Sequence, residues 1–216
     1  MKHITKTTPP ESFTLSLKEN PGIGWDDFCR PLFCDVKLTL GNALRHEQGY
    51  LCCYCEQEIV KGVSHVEHFR PKSLFPQLSL TYENLFASCN GCGKKDGITC
   101  GVKKRDVFFE GIVSPLDPAC ETRFIYTMDG QILPMDEKDA HAWQTIAVLG
   151  LNAPKLRRRR EMVFQELEAL VEVMTEADFR EYVMNRLQKT PHGRFCEFWT
   201  TVKYAAEGNI NIMDNG

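Results

Sequence analysis

The sequence predicts an α+β fold in which a small, cysteine-rich module is embedded in a mainly helical protein. Three observations carry that expectation. Six of the ten cysteines fall between Cys52 and Cys100, on a stretch rich in glycine and short elements. A hairpin pattern follows at 123–134, and from Asp136 the apolar residues recur at helical spacing.

With 216 residues, 43% of them hydrophobic, the chain can bury a sizeable core in one domain or two tightly packed subdomains. A formal charge of −3 gives no global sign of a nucleic-acid binder, so any attraction to phosphate must come from local patches. The N-terminus lacks a hydrophobic signal region, and no apolar run approaches the roughly 20 residues of a membrane helix. A soluble, cytoplasmic protein with no membrane association is expected.

In order along the chain, residues 1–48 read as an N-terminal irregular and helical region. Pro9-Pro10, Pro21 and Gly22-Ile23-Gly24 break up its first part, and two short helices separated near Pro31 follow over Trp25–Glu47. Residues 49–110 form the cysteine-rich module. Residues 111–216 open with strands flanking Asp129-Gly130, a two-residue hairpin signal. Helices follow over Lys138–Leu149, from Asn152 and Pro154 to about Met174, over Ala177–Lys189 and over Arg194–Ala206, with a frayed tail after Gly208.

The cysteines suggest a metal clip rather than a disulfide framework. Cys52 and Cys55 form a Cys-x-x-Cys turn that aims two thiolates at one tetrahedral ion, and Cys89 supplies a third ligand. The fourth is Cys100, in Cys100-Gly101-Val102-Lys103-Lys104, or Cys92, which completes a second Cys-x-x-Cys. The ion expected is structural Zn²⁺. Cys53 reads as a small buried hydrophobe.

Between the cysteines lie the parts for hydrolysing a phosphodiester. Glu67-His68 ends a strand, because Phe69-Arg70-Pro71 cannot continue a ladder past the proline. Neutral His68 has the intrinsic pKa of a general base, and Glu67 offers a hard carboxylate to Mg²⁺ or Mn²⁺. Asn84 suits an amide that holds the His-bearing backbone or orients the imidazole. Neighbours in a regular strand point to opposite faces, so joint action by Glu67 and His68 requires a local twist. His65, two residues before Glu67, lies on its face as an extra ligand or a substrate-facing group.

Cys52-x-x-Cys55, Glu67-His68-Phe69-Arg70-Pro71, Asn84-Leu85 and Cys89-Asn90 resemble the zinc-bearing branch of HNH endonucleases. The resemblance implies a ββα-metal finger with Glu67 as metal ligand, His68 as general base and Asn84 as the middle Asn. The last His or Asn of that pattern is replaced here by Gly93-Lys94 or Gly101-Val102, which leaves Asp96 or Asp106 to serve as the further carboxylate. Gly49–Glu56, His65–Ser73, Tyr82–Asn90, Pro115–Pro118 and Leu149–Asn152 extend the likeness to the PtuB family, the HNH effectors of Septu and some retron antiphage systems. That resemblance implies an ATPase partner subunit of the PtuA kind, in a hetero-oligomer or with further copies of the chain, and a role in degrading DNA.

Lys94, Lys95, Lys103, Lys104 and Arg105 make a basic patch beside the proposed metal, and Arg70 and Lys72 add to it on the other flank. Such residues position a duplex through its phosphates without reading sequence. The basic run Lys155–Arg160 opens a helix against its dipole, which suggests an anionic partner. The alternative to a nuclease is a catalytically weak, zinc-dependent DNA- or protein-binding module.

Overall fold

The structure, a computed structural model, describes residues 1–60, 62–91, 93 and 97–214, with side chains as far as Gly208. Its described residues are mixed α and β: eight α-helices and two separate antiparallel strand pairs. None of these helices is long and apolar enough to cross a membrane.

Pro9 and Pro10 do not leave the N-terminus irregular. Pro10 stands at the N-cap of α1 (Glu11–Glu19), where no helical hydrogen bond needs a proline N–H, and Phe13 buries the helix's inner face. The break near Pro31 is present as a 3-10 turn, Pro31–Phe33, between α2 (Trp25–Phe28) and α3 (Cys34–Glu47).

Strands β1 (Ser64–His68) and β2 (Leu85–Cys89) pair antiparallel, from Ser64 opposite Cys89 to His68 opposite Leu85. β2 is buried along its length, and Gln48 at the end of α3 fixes its free edge. The Gln48 amide donates to the Ala87 carbonyl at 2.8 Å and accepts from the Ala87 N–H at 2.7 Å. The short helix α4 (Cys100–Lys104) packs on β2 and on α5 (Ala140–Leu149).

In the second pair, β3 (Phe124–Tyr126) and β4 (Ile132–Pro134) are extended by Thr127 N–H donating to the Gln131 carbonyl at 3.0 Å. The connection is therefore three residues, Met128-Asp129-Gly130, not the two expected. Gly130 closes it at φ 75°, and a Cβ there would meet the Arg157 carbonyl oxygen at 1.9 Å, so only glycine fits.

α6 (Pro154–Val171), α7 (Glu176–Leu187) and α8 (Trp199–Asp214) complete the chain. α8 begins later than its periodicity suggested and runs on through the tail expected to fray. Its start is set by Glu56, whose carboxylate accepts from the Thr200 N–H at 2.8 Å in the helix's first turn. Three cations of the basic run of α6 are engaged within the chain. Arg157 pairs with Asp129 at 2.5 Å, Arg159 pairs with Glu197, and Arg160, only 3% exposed, donates to the carbonyls of Gly130 and Leu151.

Candidate active site

Four sulfurs converge at the centre of the module. Cys52 and Cys55 come from the turn after α3, Cys89 from the end of β2 and Cys100 from the first residue of α4. All are buried and their Sγ atoms lie within 4.8 Å of one another. The Cys55 and Cys89 sulfurs are 3.8 Å apart, too far for a disulfide. The edge of a Zn(S)₄ tetrahedron with bonds of ~2.3 Å is likewise about 3.8 Å.

The Cys89 N–H donates to the Cys52 sulfur at 3.3 Å, as a backbone amide does to a thiolate. Burial opposes ionisation of Cys52, yet hydrogen bonds from Cys100, Cys53, Cys55 and Cys89 draw its pKa well below the ordinary value. Hydrogen bonding to the same sulfurs pushes Cys100 up. This donor set fits a tetrahedral zinc ion. Among the described residues the fourth position is taken by Cys100; Cys92 lies outside them.

β1 divides the expected catalytic pair between its two faces. On one, Glu67 is 6% exposed and its Oε1 accepts from Lys104 Nζ at 2.7 Å and from the Tyr54 hydroxyl at 3.1 Å. Its Oε2 lies 3.5 Å from His65 Nε2. The other His65 nitrogen, Nδ1, meets Asn90 Oδ1 at 3.2 Å, which fixes the ring. Burial disfavours a charged Glu67, but His65 and Lys104 prevail and hold its pKa below the usual carboxylate value. Burial likewise works against a charged His65, yet its bonds to Glu67 and Asn90 raise its pKa.

Both donors pack closely against Gly101. A Cβ at that position would stand 2.3 Å from Glu67 Oε2 and 2.8 Å from His65 Nε2. A carboxylate oxygen and an imidazole nitrogen 3.5 Å apart are donors that suit Mg²⁺ or Mn²⁺, ions that take few protein ligands and complete their shells with water and phosphate. Asp106, the carboxylate expected to join them, is exposed, and the only group of three or more candidate metal donors among the described residues is the cysteine cluster. Asp96 lies outside those residues.

On the opposite face, His68 Nε2 is 2.9 Å from the Ser79 carbonyl oxygen. A carbonyl only accepts, so Nε2 carries the proton and Nδ1 keeps its lone pair. Trp25 meets the imidazole edge-on at 4.5 Å between centroids. Burial pulls the His68 pKa below its ordinary value, ahead of the opposing bond to Ser79. The twist that joint action by Glu67 and His68 requires is absent from the ladder, which continues in register through His68. The link between them is Lys104, whose ammonium also donates to the His68 carbonyl at 2.9 Å.

Asn84 sits under this end of β1. Its Oδ1 accepts from the Arg70 N–H at 2.7 Å, and its Nδ2 donates to the carbonyls of Arg70 and Leu78 at 3.0 and 3.1 Å. It clamps the chain leaving His68 rather than touching the imidazole.

Of the expected phosphate-facing residues, Arg70 is exposed and lies over the rings of Phe75 and Phe108. Lys72 pairs with Asp26 at 2.5 Å, Lys103 donates to the Ala147 carbonyl at 2.8 Å, and Arg105 is exposed. Lys104 is a correction. It is 0% exposed and its ammonium belongs to Glu67 and His68, so it does not face a duplex. Lys94 and Lys95 lie outside the described residues. Sequence reasoning missed the roles of Tyr54, Asn90, Trp25 and Ser79. Tyr54 and Asn90 were the accessible ones, since each adjoins a metal-clip cysteine.

No family model matches the chain. It is 33% identical over 174 residues to the "Retron Vc95 putative HNH endonuclease" of Vibrio cholerae serotype O1 biovar El Tor, covering 77% of this chain and 82% of that protein. It is 35% identical over 99 residues to the "Retron Ec83 putative HNH endonuclease" of Escherichia coli, covering 42% of this chain and 38% of that one. To the Septu protein PtuB of Bacillus thuringiensis it is 32% identical over 112 residues, 51% of this chain and 40% of the relative. The Vibrio match spans most of both chains, and the chain belongs to the HNH endonucleases of the retron and PtuB type.

Proposed function

We propose that this HNH endonuclease hydrolyses DNA phosphodiesters with His68 as general base. The observation that carries the reading is the fixed tautomer of His68. Its Nε2–H is committed to the Ser79 carbonyl, and burial keeps the ring neutral, so Nδ1 is the atom able to take a proton from water. Trp25 holds the ring plane. Asn84 fixes the backbone beyond it through both polar groups of Arg70.

Glu67 Oε2 and His65 Nε2 would hold a divalent cation, Mg²⁺ or Mn²⁺, which when bound supplies positive charge to the scissile phosphate oxygens. Cys52, Cys55, Cys89 and Cys100 would hold a structural zinc that locks α4 against β2. Arg70, Lys103 and Arg105 offer charge to the phosphate backbone without a means of reading bases. The likeness to PtuB supports a place in an antiphage system and an ATPase subunit as partner.

One observation favours a second reading, a binding module of weak catalysis. Lys104 already neutralises Glu67, which lessens that carboxylate's attraction for a metal. Plasmid nicking with Mg²⁺ or Mn²⁺ by wild type and His68→Ala separates the two, each alone and with a co-purified ATPase. A nuclease loses at least ~100-fold in rate on the substitution while keeping its DNA affinity. Equal nicking by both proteins would refute His68 as base.

A further inference from the structure

A cavity of about 500 Å³ opens on the face of β1 that carries Ser64, Val66 and His68, walled by Trp25, Lys37, Gly41 and Arg45. Its floor holds an uncommon group. Arg45 is 8% exposed, yet no carboxylate pairs with it among the described residues. Its guanidinium donates to Asn42 Oδ1 at 2.5 Å and to the Ser64 hydroxyl at 3.3 Å, both uncharged. Two of its five N–H groups are so used.

Lys37 at the rim is similar. Its ammonium contacts the Cys29 sulfur at 2.9 Å and lies 5.4 Å from the Trp25 ring centroid, with no acidic partner among the described residues. No Asp or Glu lines the cavity.

Arg45 lines the cavity without a counter-charge among the described residues, and burial is the main influence on its pKa, lowering it. A planar fork of N–H donors beside a second cation is the arrangement that takes a phosphate group. The position is equally telling, because Trp25 is at once the wall of this cavity and the ring packed on His68.

Ser64 and His68 are about 13 Å apart along the strand at ~3.3 Å per residue. Phosphates recur every ~3.4 Å of duplex axis along each strand, so a backbone presented to His68 brings others within reach of Arg45.

We propose that the Arg45 cavity is a phosphate subsite, with Lys37 at its rim, that takes a non-scissile backbone phosphate of the nucleic acid cut at His68. The assignment of the ligand to a nucleic-acid backbone rests on the nuclease reading above.

The test is the anisotropy of a labelled 20-base-pair duplex titrated with the full-length zinc-loaded protein, without added Mg²⁺ or Mn²⁺, across a salt series. Wild type, Arg45→Met, Arg45→Lys and His68→Ala are compared, with thermal melting of each. Arg45→Met should bind about 10-fold more weakly and reduce the slope of log K against log salt by about 0.9, the release of one counterion. Arg45→Lys should retain most of the affinity, and Arg45→Met should melt no lower than wild type.

Wild-type affinity and slope in Arg45→Met would overturn the proposal, as would a wild type that binds no duplex. A loss accompanied by a lower melting temperature and not restored by lysine would reduce Arg45 to a structural group. Stabilisation of wild type by inorganic phosphate, with duplex binding indifferent to Arg45, would make this a free-anion site and overturn the nucleic-acid assignment. The nuclease reading stands or falls separately on cleavage by His68→Ala, whose duplex affinity should equal that of wild type.

Discussion

The Lys104 ammonium and the Glu67 carboxylate form an ion pair of 2.7 Å that is closed to solvent, Lys104 being 0% and Glu67 8% exposed at their side chains. Through its second bond, to the His68 carbonyl, Lys104 ties α4 to the end of β1 that bears the candidate base. Because α4 begins at Cys100, the cysteine cluster and the candidate active site share one short helix.

Breaking a buried pair by removing one partner strands the other charge. Lys104→Met should lower stability by about 3 kcal/mol, read as a fall in the urea midpoint. The double variant Lys104→Met with Glu67→Gln should recover most of the loss, because it leaves no buried charge unpaired. A single variant as stable as wild type would show that Glu67 does not depend on Lys104.

The pH dependence of cleavage follows from His68. A general base works when unprotonated, and burial sets the His68 pKa below the ordinary 6.5. The acid limb of kcat/KM should therefore rise with pH to a plateau with its midpoint under 6.5. A midpoint above that value would mean that the limiting group is another one.

The cysteine cluster predicts how zinc is lost. Cys100→Ser should release the metal and cost at least ~3 kcal/mol, roughly 10 °C in melting temperature for a chain of this size. Cys92→Ser should keep full zinc content. Elemental analysis of the two purified variants decides between the sulfurs, and the reverse pattern would move the fourth ligand to Cys92.

Gly101 bears on the candidate cation site. Gly101→Ala puts a methyl group 2.3 Å from Glu67 Oε2 and 2.8 Å from His65 Nε2 as they now stand, so both side chains must move. It should abolish Mn²⁺ binding at Glu67, measured by electron paramagnetic resonance, while the thiols of the cluster still bind zinc. Unchanged Mn²⁺ affinity would place the cation elsewhere.

Much of this was legible in local sequence. Pro71 marked the end of β1, Gly150 at φ 64° stops α5 as expected, and the cysteine spacing anticipated the cluster. Alternation along a strand already implied that Glu67 and His68 part company, and they do. Long-range pairing was the hidden component. Lys104 read as one more cation of a basic surface because nothing local says that a chain 37 residues earlier presents Glu67 to it. Glu56 was invisible as the group that fixes the start of α8, being 144 residues from Thr200. Arg45 gave no signal either, since an arginine on an amphipathic helix is ordinary until its missing counter-charge is seen.

Chemical rescue tests the central claim most directly. In single-turnover cleavage of plasmid DNA with Mg²⁺, His68→Gly should be at least ~100-fold slower than wild type. Added imidazole, filling the space between Ser79 and Trp25, should restore part of that rate. Cleavage by His68→Gly at the wild-type rate, with or without imidazole, would contradict the account.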